Sequence, residues 1–196
     1  FAILRIGFST KLDSRFLEYA AGCEKYGIPY GVYHYSYALT AAAAQEEGRW
    51  VVNTLNTHGY KPPMGVWYDM EDETQGALAT ATKEAICRGF CDIVRASGHD
   101  VGFYGFLTWF GSTFTREYLN SMPLWVTQID GKASPAHDRG TWVWQYSWEG
   151  SIPGISGDVD CNITYANWPK PSSSGGSGGD PNVSNCTYYP AYFTGN

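Results

Sequence analysis

Apolar, β-rich runs alternate along this chain with stretches whose apolar residues recur every three to four positions, and that alternation narrows the possible folds more than any other feature. FAILRIGF at residues 1–8 reads as a strand, and residues 14–26 follow with Phe16, Ala20 and Cys23 on one helical face. IPYGVYHYSYA, residues 28–38, is the next strand. After it Ala44, Gly48, Val51, Val52 and Leu55 recur at helical spacing until Gly59 and the Pro62–Pro63 pair end the unit. MGVWYDME, residues 64–71, makes a third strand, and Ile86, Phe90, Ile93 and Val94 mark its helix, closed by Gly98. DVGFYGF follows, then a looser stretch to Tyr118. PLWVTQI and TWVWQYSW come close together near the end with no long helix between them.

Strand-then-helix repetition with short connections predicts a parallel sheet flanked by helices. The near-continuous apolar strands fit burial on both faces. The expected fold is α/β, an irregular TIM-like (β/α) barrel, closed or partly closed, with mostly parallel strands; an open doubly wound sheet is the second choice. The first strand is not followed by a G-x-G-x-x-G loop, which weakens a nucleotide-binding reading. Composition changes at PKPSSSGGSGGDP, a Pro/Gly/Ser linker over 169–181. Residues 182–196 are too short to fold alone and read as the start of an incomplete C-terminal module.

Composition excludes several classes. The net charge of −6 gives no electrostatic reason to bind nucleic acid or an acidic membrane surface, and no run approaches the 18 apolar residues of a membrane span. Tyr, Trp and Phe make up 16% of the chain, a supply of amphipathic rings suited both to a core and to stacking on sugar faces. The five cysteines show no CxxC spacing, and the four histidines supply no matching metal cluster. Cys87 and Cys91, four apart in a helical pattern, read as easily as small core residues as partners or ligands. His34, between tyrosines in a strand, reads as structural.

The chemistry concentrates in two acidic stretches. WYDMEDE at 67–73 puts Trp67, Asp69 and Glu71 on one strand face and Val66, Tyr68 and Met70 on the other. Asp69 and Glu71 fall at the C-terminal end of their strand, where a β/α barrel builds its active site. Asp72 and Glu73 read as the following turn, and a wholly solvated acidic turn is the competing reading of the run. GISGDVDCNI places Asp158, Asp160 and Asn162 on one face of the last strand. Two carboxylate-bearing strand ends facing each other across a barrel mouth suit glycoside hydrolysis. That reaction needs one protonated carboxyl for the leaving oxygen and a second carboxylate for the cationic centre; mutual repulsion helps keep one of them protonated. A calcium loop is the weaker alternative for GDVDCN, which lacks the Gly and distal Glu of an EF-hand.

FAILRIGFS, GIPYGVYHYSYA, GVWYDMED, LWVTQID and WVWQYSWEGSIPGISGDVDCN, in that order over residues 1–168, resemble the glycoside hydrolase family 25 lysozymes, the Chalaropsis-type N-acetylmuramidases. The resemblance implies cleavage of the β-1,4 bond between N-acetylmuramic acid and N-acetylglucosamine in bacterial cell-wall peptidoglycan. Glu71 matches the catalytic acid, Asp69 the neighbouring carboxylate that orients the substrate's 2-acetamido group, and Asp160 the acid of the last strand. Participation of the acetamido group gives a retaining reaction with no metal or organic cofactor. Tyr33, Tyr35, Tyr104, Trp125 and Gln145 are the candidates for the substrate groove, with core packing an equal alternative for each. Family members open with a strand bearing G-[IV]-D-x-S, absent from these residues. The expectation is that residues 1–168 form an N-terminally incomplete catalytic domain, lacking one active-site Asp and leaving sheet edges unpaired. The remaining expectations are a monomer that binds neither nucleic acid nor membrane, secreted or released as a phage endolysin, with 182–196 opening a wall-binding module. A non-catalytic, lectin-like glycan-binding module on the same barrel is the alternative.

Overall fold

The computed structural model describes residues 1–131 and 141–166. The linker and C-terminal segment expected at 169–181 and 182–196 lie outside the described residues, as does Cys186. Strands β1 (Ala2–Phe8), β2 (Lys11–Leu12), β3 (Tyr30–Tyr35), β4 (Val66–Asp69), β5 (Val101–Phe106), β6 (Leu124–Thr127), β7 (Thr141–Gly150) and β8 (Val159–Thr164) form one sheet in the order β2-β1-β3-β4-β5-β6-β7-β8. From β1 through β3 to β7 every neighbouring pair is parallel, while β2 and β8 lie antiparallel at the two edges. The expected mixed α/β, mostly parallel architecture is thus present as a curled, partly closed sheet.

Helices α1 (Phe16–Tyr26), α2 (Ala41–His58), α3 (Glu73–Gly76), α4 (Thr80–Ala96), α5 (Leu107–Ser112) and α6 (Arg116–Leu119) fill the connections. The looser stretch to Tyr118 resolves into the short α5 and α6, too brief to show a helical period in sequence. Their local chemistry explains where the longer helices begin and end. Thr40 caps α2 by accepting from the Ala43 backbone N–H, and Gly59 closes it in a left-handed conformation at φ 71°. The buried stripe of α1 is Phe16, Ala20 and Cys23, the face expected from their spacing. Cys23, Cys87, Cys91 and Cys161 are free and buried; Cys87 and Cys91 serve as small core residues of α4.

The alternation of the strands sorts side chains into two apolar layers. Leu4, Ile6, Val32, Val66, Tyr68 and Met70 face outward and pack beneath α1, α2 and α4. Ile3, Tyr33, Trp67, Tyr104, Trp125, Val143 and Val159 form a second cluster on the opposite face. Its members come from β1 and β3 through β8, so the sheet must curl for them to meet. Room for this interior is made locally. A Cβ on Gly102 would run into the ring of its β4 neighbour Trp67 and the Pro123 carbonyl, so a glycine there lets the indole lie flat across β5.

Candidate active site

The sheet register assembles the site. Asp69 is the last residue of β4, with Tyr35 of β3 and Tyr104 of β5 as its lateral partners, and Tyr104 in turn neighbours Trp125 of β6. These four therefore lie in one row at the C-terminal end of the parallel strands. Glu71 follows two residues later, in the loop beyond β4 rather than on the strand. The chain turns there because Asp72 and Gln75 form a reciprocal capping box that starts α3. Asp72 accepts from the backbone and side chain of Thr74, which hold its carboxyl below the usual range. It belongs to the turn, as expected.

Asp160 reaches the same end by a route that differs in direction. It is the second residue of β8, and β8 runs antiparallel to β7. The start of β8 therefore lies at the end of the sheet where β4 finishes. The pairing is irregular between Ser147 and Gly150 opposite Cys161 and Val159: β7 bulges there, setting Trp148 and Glu149 against the single Asp160 of β8.

Burial and charge set the protonation of the three acids. Asp69 is 3% exposed, and both Asp69 Oδ1 and Glu71 Oε2 are buried without a hydrogen bond among the described residues. A buried carboxylate oxygen left this way costs about 1–3 kcal/mol or more unless it carries a proton or meets a partner. Burial pushes Asp69 well above the ordinary aspartate range, and the charge of Glu71 adds to this while Arg5 opposes it. Glu71 is raised by burial and then by the charge of Asp160. Asp160 is pushed up to about 6, again chiefly by burial, with a hydrogen bond from Gln145 acting in the other direction. Three acids with raised pKa values at one end of the sheet are suited to proton transfer near neutral pH.

The other expected residues divide by depth. Tyr33, 6% exposed, is packed edge-on to Trp125 with centroids 6.2 Å apart. Tyr35 is half-buried and feels the charges of both Glu71 and Asp69, which raise its pKa further after burial itself. Gln145 is 1% exposed; its Oε1 accepts from the Tyr104 hydroxyl at 3.1 Å and from Thr127 Oγ1 at 2.6 Å. Its amide nitrogen is thereby turned toward Asp160. Trp125 is wholly buried, its indole N–H donating to Asn162 Oδ1 at 2.8 Å. Of the two readings open for it, groove contact and core packing, its burial fits the second, with Tyr104 against it edge-to-face at 4.5 Å. His34 sits on the opposite sheet face, stacked on Phe90 at 5.5 Å and away from the acids.

Sequence reading missed two features. Arg5 of β1, held by Asp13 at 2.7 Å and hydrogen-bonded to Tyr33, brings a positive charge to Asp69. The alternation of Leu4 and Ile6 on the outer face was the signal that Arg5 points inward. An exposed aromatic rim also stands at this end. Tyr37 lies 5.1 Å from Tyr35 and 6.5 Å from Phe8, and Trp148 lies 6.4 Å from Phe106. Tyr37 continues the Tyr33, Tyr35 spacing one step past the strand end, which was legible.

Comparison with known proteins agrees with this architecture. A family model described as glycosyl hydrolases family 25 matches residues 7–155. The autolytic lysozyme of Clostridium acetobutylicum is 28% identical over 155 residues, 77% of this chain and 44% of that protein. The chain thus spans less than half the length of this curated relative. Among solved structures, the modular autolysin LytC of Streptococcus pneumoniae superposes with a TM-score of 0.74 at 22% identity, over 83% of this chain and 40% of that one. A bacterial lysozyme from Streptomyces coelicolor gives 0.68 at 23% identity, over 85% and 81%. At these identities the structural likenesses speak for the fold alone.

Proposed function

The chain belongs to glycosyl hydrolases family 25, and on that premise we propose that it is a lysozyme of the muramidase type. It would cut the β-1,4 bond between N-acetylmuramic acid and N-acetylglucosamine in bacterial peptidoglycan. The observation that carries this reading is the pair of buried carboxyl oxygens on Asp69 and Glu71 with no hydrogen bond among the described residues, with the charge of Asp160 acting on Glu71 at the same end of the sheet.

In this reading Glu71, kept protonated by burial and by the charge of Asp160, gives its proton to the glycosidic oxygen as the C1–O bond breaks. The substrate's 2-acetamido oxygen attacks C1 from the other side and forms a cyclic intermediate. Asp69 orients the acetamido group through its N–H. Water then adds to C1, giving its proton to the Glu71 carboxylate and restoring the acid with net retention. Asp160, fixed by Gln145, lies across the mouth, where it keeps the Glu71 pKa high and favours the cationic centre. Tyr33 and Tyr104 wall the acids, Tyr35 is the half-buried ring that meets substrate, and Trp125 with Gln145 forms the floor. The protein would act outside the producing cell, on the wall itself.

Product analysis tests this. Reduction of digested peptidoglycan with borohydride should convert N-acetylmuramic acid, and not N-acetylglucosamine, to its alcohol at the new ends, and the first-formed anomer should be β. New ends at N-acetylglucosamine, or an α anomer, would overturn the assignment of bond or of mechanism respectively.

A further inference from the structure

A buried polar chain lies behind the acid-bearing loop, and the chemistry above does not use it. Gln75 is 0% exposed; its Nε2 donates to the Ala38 carbonyl at 3.0 Å, and its Oε1 accepts from the Asp72 backbone N–H at 3.2 Å. Asp72 is the residue after Glu71. Ala38 belongs to the turn that leaves β3, and that turn is itself fixed. Ser36 Oγ donates to Glu47 Oε2 at 2.7 Å, lies 2.6 Å from the Tyr68 hydroxyl, and accepts from the Ala38 N–H at 3.0 Å. Glu47 Oε1 accepts from the Tyr37 N–H, and the Ser36 N–H donates to the Asp69 carbonyl at 2.8 Å.

We propose that Gln75 is a positioning residue for Glu71, its side-chain amide tying the loop that carries the acid to the turn after β3. Helix capping alone does not account for it. A glutamate at the third helical position completes a capping box as well as a glutamine does. An ionised glutamate has no donor, whereas an amide accepts from Asp72 and at the same time donates to a carbonyl 37 residues away. The inference rests on the reading of Glu71 as the acid. The groups that face Glu71 are Asp69 at the end of β4, Asp160 on β8, Tyr35 on β3 and Tyr104 on β5, with Arg5 of β1 acting through Asp69.

Gln75→Glu separates tether from cap, because it keeps the acceptor for Asp72 and, when ionised, opposes an oxygen to the Ala38 carbonyl. On soluble peptidoglycan fragments it should lower kcat by roughly 10- to 100-fold at neutral pH with KM within about twofold, the size of effect expected when a catalytic group is displaced by about 1 Å. Turnover relative to wild type should recover toward acidic pH, where the protonated side chain regains a donor. Wild-type kcat at neutral pH in a folded Gln75→Glu protein would overturn the proposal. A second measurement is independent of turnover: NMR titration of the Glu71 carboxyl in Gln75→Ala should move toward the ordinary glutamate range as water reaches the loosened loop. An unchanged titration would also overturn the proposal. Failure of the wild-type protein to cleave peptidoglycan would sink the muramidase reading instead, and the titration would still decide the role of Gln75.

Discussion

Glu71 holds a proton at a pH where a surface glutamate would have lost it, because its carboxyl is buried and Asp160 adds a negative charge beside it. Removing that charge with Asp160→Asn should lower the Glu71 pKa and move the basic limb of the kcat/KM profile to lower pH; a limb that stays in place would remove Asp160 from the account. The same variant has a stability signature. Asp160 titrates at about 6 in the fold against 3.8 for an ordinary aspartate, so the folded state binds the extra proton. Its contribution is fully present below about pH 3.8 and is lost as pH rises through 6. Asp160→Asn should therefore flatten the fall in unfolding free energy across that window, which denaturant titrations at several pH values would read. Asp69, Glu71 and Asp160 were legible in sequence as acids at strand ends. Arg5 and Gln75 were not, because what gives them a role is contact with residues far along the chain, and neither stands in an acidic or aromatic cluster that would draw notice.

At the level of elements, α1, α2 and α4 could be read from periodicity because each buries one face, and β1, β3, β4 and β5 from continuous apolar runs because both their faces are covered. The orientation of β8 could not: a strand alternates in the same way whichever direction it runs, and direction decides which end of the sheet receives Asp160. The short α5 and α6 lay below the length at which a helical period shows. Entry into β8 is sterically tight. A methyl group on Gly150 would run into Cys161 Sγ and the Val159 carbonyl, the residues on either side of Asp160. Gly150→Ala should cost about 1–3 kcal/mol in denaturant unfolding, the usual price of overpacking, and should lower hydrolysis by more than the loss of folded protein. Activity falling only in step with the folded fraction would show that the bulge does not aim Asp160.

For the molecule as a whole, the curled sheet does two jobs with its two faces. The outer layer packs under α1, α2 and α4 and stabilises the domain. The inner layer, from Ile3 round to Val159, includes the buried rings of Trp67 and Trp125 and leaves Asp69 buried beside the partly exposed Glu71 and Asp160. The net charge of −6 gives the chain no general attraction to anionic polymers; under the proposed function, glycan contact would fall to this mouth and its aromatic rim. The role proposed for Glu71 is that of the acid in a glycan-cleaving site. It is tested most directly by comparing wild type with Glu71→Gln, measuring new reducing ends released from purified bacterial walls alongside sedimentation of the protein with those walls. Glu71→Gln should lose release by at least about 100-fold, the scale of general-acid catalysis, while sedimenting with walls as wild type does. Equal release from the two proteins would contradict it by removing Glu71 from the chemistry, and no release from wild type despite wall binding would leave a glycan-binding module on this scaffold.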